Sequence, residues 1–182
     1  MNEIIPLINH GHQHFGENKV QEAIEKWSSI KNDFPKIKLH MIGKLQTNKV
    51  KYVLRLFDYI HSLDNLKLAE KISQEQKKIN KRLKIFIQIN IGNEEQKSGI
   101  DPKSLKNFYL KCSKDLDLDI IGIMCLPPND INPEKYFEEM KILSEEIDVK
   151  ELSMGMSNDY LKAVDFNATF VRIGSSIFGS RS

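Results

Sequence analysis

KIFIQINI, residues 84–91, decides the fold, because it is the most strand-like stretch of the chain. Apolar residues occupy nearly every second position and Phe86 lies between them, which suits a parallel strand covered on both faces. On either side, short apolar runs alternate with amphipathic segments. Strands that alternate with helices at this spacing indicate a parallel sheet with right-handed crossovers.

Six further strands are predicted outward from this segment, at residues 13–16, 38–42, 58–62, 120–124, 151–153 and 169–173. The helices between them carry apolar stripes, and their N-terminal caps are predicted at Asn18, Thr47, Asp64, Asp101, Asn132 and Ser157. About seven strand–helix units result, one fewer than in a (β/α)₈ barrel. An open doubly wound sheet competes with this fold, but it usually carries a G-x-G-x-x-G turn, which does not occur here. We therefore predict an α/β protein with a TIM-type barrel that lacks one unit.

The length and composition indicate one domain over residues 1–182 and argue against a nucleic-acid binder or a membrane protein. The chain has 182 residues, 40% of them hydrophobic, and 27 Lys and Arg against 25 Asp and Glu. A net charge of +2 is too small for a nucleic-acid binder, which needs a basic face. The sequence shows neither a membrane-spanning apolar run nor a signal peptide, so we expect a cytoplasmic protein.

Cysteine and histidine spacing argues against a metal site. Cys112 and Cys125 are far apart and have no nearby histidine, so we expect buried, reduced thiols. His10, His12 and His14 alternate, but no carboxylate or cysteine lies in register with them. No metal site is predicted.

Two turns at the end of the chain are candidates for a phosphate site. In a (β/α)₈ barrel this site is commonly built from the loops after the last two strands, here residues 153–159 (SMGMSND) and 172–176 (RIGSS). Gly174 allows close backbone approach, and the hydroxyls of Ser157 and Ser175 can donate to phosphate oxygens. The alternative is that these residues only satisfy turn and cap geometry.

Three polar residues near predicted strand ends have two interpretations each. Arg172 lies in an apolar strand and should not be buried unpaired, so it either forms a structural ion pair or faces a bound cofactor. Asn18 is a helix cap or a pocket residue. His40 is a hydrogen-bonded core histidine or a pocket residue. The loops at residues 43–49 and 97–99 face the same rim.

Six sequence blocks in this order resemble the pyridoxal 5'-phosphate homeostasis protein family, whose fold is like the N-terminal barrel of alanine racemase. They are HFGENKVQEA (residues 14–23), HMIGKLQTNK (40–49), IQINI followed by KSG (through residue 99), GIMCLPP (122–128), LSMGMSND (152–159) and VRIGSSIFGSR (171–181). The blocks run from near the first residue to the last. Lys44 occupies a position that the family fills variably.

The resemblance implies pyridoxal 5'-phosphate as the cofactor and eight residues around it. Ser157, Gly174 and Ser175 would grip the phosphate and Arg172 would face the pyridine nitrogen, with Asn18, His40, Ser153 and Met156 around the cofactor. An arginine at that nitrogen keeps it unprotonated and weakens the electron sink that most such enzymes need. The resemblance therefore implies weak or absent catalysis, and no catalytic residue is assigned.

The family carries its Schiff-base lysine on a first strand that has no counterpart in these 182 residues. Residues 2–11 match the crossover helix that follows that strand. Lys19, Lys44, Lys49 and Lys97 are not presumed substitutes, because such a lysine must be desolvated and aimed at the aldehyde. We expect either an N-terminally truncated barrel or a protein that binds the cofactor only non-covalently. A full-length form would be a monomer or weak homodimer.

The sequence therefore leaves three functions open. The first is a non-catalytic protein of cofactor and amino-acid homeostasis. The second is a cofactor-dependent amino-acid racemase, which needs a second acid or base that the racemase's β-rich domain usually supplies. The third is a phosphate-binding barrel enzyme of sugar or indole metabolism, for which Asp58 and Asp64 are the candidate carboxylates.

Overall fold

Seven parallel strands, hydrogen-bonded to one another in chain order, form the core of the protein. They are seen in a computed structural model that describes residues 3–94, 96–128 and 132–179. The strands are β1 (His14–Glu17), β2 (Lys38–Met41), β3 (Tyr59–Leu63), β4 (Lys84–Ile89), β5 (Asp119–Cys125), β6 (Glu151–Met156) and β7 (Phe170–Arg172). The sheet curls into a nearly closed barrel, which confirms the predicted TIM-type fold.

Eight α-helices alternate with the strands in the described part of the chain. They are α1 (Ile4–Asn9), α2 (Val20–Trp27), α3 (Val50–Leu56), α4 (Leu66–Ile79), α5 (Leu105–Leu110), α6 (Glu134–Glu146), α7 (Tyr160–Asp165) and α8 (Ser175–Phe178). Short 3₁₀ turns at Thr47–Lys49 and Pro102–Ser104 lead into α3 and α5. Helix α1 corresponds to the helix predicted over residues 2–11, of which residue 2 lies outside the described residues.

The core lies between the strands and the apolar faces of the helices. In α4, the sequence predicts that Leu66, Ala69 and Ile72 share one face. Ala69 and Ile72 are buried together with Leu68, whereas Leu66 is 37% exposed. In α2, Trp27 is fully buried, and its indole Nε1 donates a 2.7 Å hydrogen bond to Glu17 Oε1 at the end of β1. This contact satisfies the one polar atom of a large core side chain.

Side chains bridge the two outer strands of the sheet. β1 and β7 stand at opposite ends of the strand order. The ring of Phe170 on β7 lies 6.4 Å from the ring of His14 on β1, 5.7 Å from His40 and 5.2 Å from Phe86. Phe170 therefore fills the space where β1 and β7 approach each other.

Five of the six predicted caps were wrong, and in four of these the cap lies one or two residues after the predicted one. α2 is capped at Lys19 rather than Asn18, without a side-chain hydrogen bond. α4 is capped by Asn65 rather than Asp64, and the Asn65 side chain accepts from Leu68 N at 2.9 Å. The cap of α7 is Asp159 rather than Ser157.

The other three caps vary in outcome. Asp101 caps the turn before α5 as predicted, accepting a 2.8 Å hydrogen bond from Lys103 N. Thr47 begins a 3₁₀ turn whose cap is Gln46. At α6 the cap position belongs to Pro133, directly after Asn132. No helix in the described ranges is long and apolar enough to cross a membrane.

Candidate functional site

The two turns predicted to hold phosphate meet at the carboxyl ends of β6 and β7. Ser157 Oγ accepts hydrogen bonds from the backbone N–H groups of Gly174 at 3.1 Å and Ser176 at 3.4 Å. Because Ser157 does not cap α7, its hydroxyl is available for this link. One side chain therefore fixes the two turns against each other.

Gly155 sets the course of the first turn. Its φ is +88°, a left-handed conformation that side chains disfavour, and a Cβ built there would lie 2.7 Å from Ala163 Cβ. The turn is closed by Met156 N, which donates a 2.6 Å hydrogen bond to Asp159 Oδ1. The Met156 side chain is 49% exposed and lies on the open face of the site.

The second turn leaves open space beside its backbone. Nothing lies within 4 Å of the position that a Cβ on Gly174 would take. Ser175 and Ser176 follow it as the exposed first residues of α8. The turn therefore presents small residues to that space, while the backbone N–H groups of Gly174 and Ser176 donate to Ser157 Oγ.

Arg172 is held by two neutral groups. Its Nη1 donates to Ser153 Oγ and its Nη2 to the carbonyl oxygen of Cys125, both at 2.7 Å. The ion pairs found within residues 3–94, 96–128 and 132–179 do not include Arg172, so the predicted structural ion pair is not seen there. Burial lowers the pKa of the guanidinium, an effect that Cys125 and Asp159 oppose. A half-buried cation with neutral partners favours an anion or an electron-rich ligand atom beside it.

A row of three histidines reaches Arg172 from the other side of the barrel. His14 Nδ1 lies 2.9 Å from His40 Nε2, and His40 Nδ1 lies 2.9 Å from His61 Nε2. The row ends where His61 Nδ1 meets Ser153 Oγ at 2.8 Å. His61 was not among the predicted site residues, although His61 and His40 are each the third residue of a strand.

The two inner histidines are neutral. Burial, with a smaller contribution from His14, lowers the pKa of His40 to about 3. Burial, His40 and Arg172 hold the pKa of His61 well below its ordinary value. Tyr59 stacks on His40 with ring centroids 4.1 Å apart, and Phe86 stacks on His61 at 4.2 Å. These aromatic faces shield the row from water.

Asn18 and His40, the other predicted pocket residues, lie in different surroundings. Asn18 is exposed just beyond the carboxyl end of β1. Its backbone oxygen would be 2.1 Å from a Cβ on Gly43, so the loops after β1 and β2 pack tightly at this rim. His40 is 4% exposed and hydrogen-bonded in the barrel interior, as its core interpretation predicts. It reaches Ser153 only through His61.

The carboxylates considered for a phosphate-binding enzyme lie apart from this cluster. Asp58 precedes β3, at the opposite end of the barrel, and accepts from Lys31 Nζ at 2.7 Å and Leu39 N at 2.9 Å. Although burial opposes the change, these hydrogen bonds lower the pKa of Asp58. Asp64 accepts a 2.6 Å hydrogen bond from the exposed side chain of Asn65.

The two cysteines are buried, as the sequence predicts. Cys112 and Cys125 are free, buried thiols, and burial raises the pKa of each to about 12. Among the described residues, no group of three or more His, Cys, Asp or Glu side chains is arranged to hold a metal ion. A surface cleft lined by Thr47, Asn48 and Lys67 contains none of the predicted site residues.

Comparison with known proteins gives consistent matches over nearly the whole chain. The family model described as alanine racemase, N-terminal domain, matches residues 1–182. The pyridoxal phosphate homeostasis protein of Aquifex aeolicus is 38% identical over 184 residues, which cover 96% of this chain and 80% of that protein.

Solved structures agree with these matches. PipY of Synechococcus elongatus with PLP bound superposes with a TM-score of 0.89 at 32% identity, covering 98% of this chain and 87% of that one. Alanine racemase of Clostridium difficile gives a TM-score of 0.76 at 16% identity, over 96% of this chain and 47% of the racemase. The racemase match shows the shared barrel fold alone.

Proposed function

The chain belongs to the pyridoxal phosphate homeostasis protein family, and we propose that it binds pyridoxal 5'-phosphate. In this proposal the residues described hold the cofactor non-covalently, and the protein does not turn over a substrate. Its role is in cofactor and amino-acid homeostasis, and its site comprises Asn18, His40, Ser153, Met156, Ser157, Arg172, Gly174 and Ser175. It acts in the cytoplasm without a nucleic-acid partner, and its full-length form is a monomer or weak homodimer. The solved PipY structure with PLP bound supports this ligand for the fold.

The observation that carries the proposal is the Arg172 guanidinium, whose hydrogen-bond partners among the described residues are both neutral. Arginine has donors and no acceptor, so it suits an unprotonated ring nitrogen or an anionic group. Ser153 and the carbonyl of Cys125 fix its orientation. A donor that is already oriented loses little entropy when the ligand binds.

The phosphate end of the ligand fits the linked turns. Ser157 fixes both turns, Gly174 leaves room beside its backbone, and the Ser175 hydroxyl is exposed next to that room. The exposed Met156 side chain borders the same face. These residues provide donors and space without a bulky side chain in the way, which is the arrangement that phosphate binding requires.

Strand lysines are placed away from this end of the barrel. The seven described strands contain two lysines, Lys38 and Lys84, and each is the first residue of its strand. Both therefore lie at the amino ends, whereas the site lies at the carboxyl ends. This placement supports reversible, non-covalent binding by the residues described.

The position of Arg172 also argues against turnover of a substrate. Bound pyridoxal phosphate supplies an electron-withdrawing ring, which is strongest when its nitrogen is protonated. Arg172 would donate a hydrogen bond to that nitrogen and oppose its protonation, because two adjacent positive charges repel. A binding role follows from this better than a racemase role. The third function is disfavoured because Asp58 precedes β3 at the other end of the barrel. Asp64 follows the carboxyl end of β3, but it accepts a hydrogen bond from its neighbour Asn65.

The test is a titration of the purified protein with pyridoxal phosphate, followed by equilibrium dialysis. We expect saturable binding that dialysis reverses, and weaker binding of pyridoxal, which lacks the phosphate. Arg172→Met should weaken binding about tenfold or more, the effect of losing a charged hydrogen bond. Arg55→Met, which removes an exposed arginine on α3, is the matched control and should leave binding unchanged.

Three results would contradict the proposal. Absence of saturable binding would reject the cofactor. Cofactor that stays attached to the denatured protein after reduction with borohydride would reject non-covalent binding. Measurable racemisation of an amino acid by the loaded protein would reject the non-catalytic role.

A further inference from the structure

The histidine row connects the surface of the barrel with the side chain that holds Arg172. His14 is exposed on β1, whereas His40 and His61 are 4% and 1% exposed and Ser153 is fully buried. The three contacts that link these four side chains measure 2.9, 2.9 and 2.8 Å. We propose that His14, His40, His61 and Ser153 form a proton relay between solvent and the Arg172 end of the candidate site.

Imidazole is suited to such a relay because it has two ring nitrogens. In a neutral ring one nitrogen carries a proton and the other accepts, so a ring can receive a proton on one side and release one on the other. In both His40 and His61, one ring nitrogen faces the previous member of the row and the other faces the next. Each inner ring therefore uses both nitrogens within the row.

Arg172 sets the direction of the hydrogen bonds. A guanidinium can only donate, so Ser153 Oγ accepts from Arg172 Nη1. Within the described chain, the hydroxyl proton of Ser153 then has one acceptor, His61 Nδ1. If Ser153 donates to His61, the proton of His61 is on Nε2 and points to His40, and that of His40 is on Nε2 and points to His14. All three rings share the Nε2–H form.

One passage along the row moves a single proton and reverses every ring. The Ser153 hydroxyl proton passes to His61 Nδ1, the His61 Nε2 proton to His40 Nδ1, and the His40 Nε2 proton to His14 Nδ1. His14 releases its Nε2 proton to water, and Ser153 would regain a proton from the protonated ring nitrogen of a ligand that binds beside Arg172. The reverse sequence returns one proton from water to that group. No ring carries a net charge before or after the passage.

The surroundings of the row favour this neutral passage. Burial disfavours the charged form of both inner rings. The charged groups that act on His40 are Asp58 and Lys31, and Arg172 acts on His61. At the outer end, burial together with His12 and Lys38 lowers the pKa of His14, and Asp58 opposes them.

The relay would carry to water the proton that a ring nitrogen loses when it binds beside Arg172. This use by the cofactor rests on the proposed function. The relay itself is a property of the protein's own side chains and can be tested without adding cofactor. Its failure would leave the binding proposal untouched, and a protein that fails to bind cofactor could still possess the relay.

The experiment is nuclear magnetic resonance of the purified protein with ¹⁵N-labelled histidine at neutral pH. Ring nitrogen shifts distinguish the Nε2–H, Nδ1–H and doubly protonated forms. We expect His14, His40 and His61 to share the Nε2–H form. Observation of any of the three with its proton on Nδ1, or of a charged His40 or His61, would overturn the inference.

A second measurement follows the exchange of the His61 ring proton with water. His14→Gln keeps an amide oxygen that can accept from His40 but cannot pass a proton on. We expect this variant to keep the Nε2–H form at His40 and His61 and to slow the exchange about tenfold or more, because a relay step is lost. His10→Gln, an exposed histidine outside the row, is the control and should not change the rate. Equal exchange rates in the unchanged protein and His14→Gln would overturn the relay.

Discussion

His61 Nδ1 lies 2.8 Å from Ser153 Oγ, although the two residues are 92 positions apart in the chain. His61 is on β3 and Ser153 on β6, and β4 and β5 lie between these strands in the sheet. The contact therefore crosses the barrel interior rather than following a strand pair. Through Ser153 it makes the orientation of Arg172 depend on the opposite wall of the barrel.

Replacing His61 with leucine should destabilise the protein. The change leaves Ser153 Oγ and His40 Nδ1 each without one buried hydrogen-bond partner. We expect the free energy of unfolding to fall by about 1–3 kcal/mol, the cost of an unsatisfied buried polar group. Urea denaturation measures this difference. His10→Leu changes an exposed histidine and should have little effect, and an equal loss in both variants would contradict the prediction.

The stability of the protein should fall as pH is lowered from about 6.5. The folded pKa of His40 is about 3, whereas the ordinary value is 6.5. Between these values the unfolded chain binds a proton that the folded protein does not, so lower pH favours unfolding. His61 acts in the same direction. We expect a loss of about 2–3 kcal/mol from His40 alone between pH 6.5 and 4.5.

Carboxylates change the free energy of unfolding at lower pH than this window, so their contribution can be separated from that of His40. The pKa of Glu75 is lowered from 4.5 to about 2 by hydrogen bonds from Lys78 and Lys71, so its effect begins only below pH 4.5. Urea denaturation at a series of pH values gives the slope of the free energy of unfolding against pH. His40→Leu should be less stable throughout but should show a flatter slope above pH 4.5, and His10→Leu should keep the original slope. An unchanged slope in His40→Leu would contradict the assignment.

Strand positions could be predicted from the sequence because short apolar runs, typical of strands, alternate with segments of helical period along most of the chain. The segment at residues 84–91 and the alternation around it located all seven strands. Helix caps could not be placed as reliably. In α7, the apolar residues Leu161 and Val164 are 67% and 51% exposed, and the smaller Ala163 is buried. A helix of six residues is too short for its period to fix its buried face.

The candidate site was predictable only in part. The meeting of the turns at Ser157 and Gly174 follows from their place after the last two strands of a barrel. The His61–Ser153 contact does not follow from any local pattern, because it depends on how far the barrel curls. A histidine in each of two adjacent strands, His40 and His61, was the available signal, and only register and curvature show that both point inward.

Both cysteine thiols should be unreactive in the folded protein. Burial raises the pKa of Cys112 and of Cys125 to about 12, so at mildly alkaline pH almost no thiolate is present. We expect no reaction with Ellman's reagent in the native state and two thiols per chain in concentrated urea. Rapid reaction of either thiol without urea would show that it is accessible.

Replacing Gly155 with alanine should disturb the turn that carries Ser157. The φ of +88° disfavours any side chain, and the new Cβ would lie 2.7 Å from Ala163 Cβ on α7. Gly11→Ala is the matched control, because its φ of +95° imposes similar backbone strain while nothing lies within 4 Å of its Cβ position. We expect Gly11→Ala to cost about 1 kcal/mol in urea denaturation and Gly155→Ala about 2–4 kcal/mol, since overpacking adds to the strain. Only Gly155→Ala should also weaken pyridoxal phosphate binding, because α7 must shift away from β6 and carry the phosphate turn with it. Equal losses in the two variants would mean that α7 yields without strain.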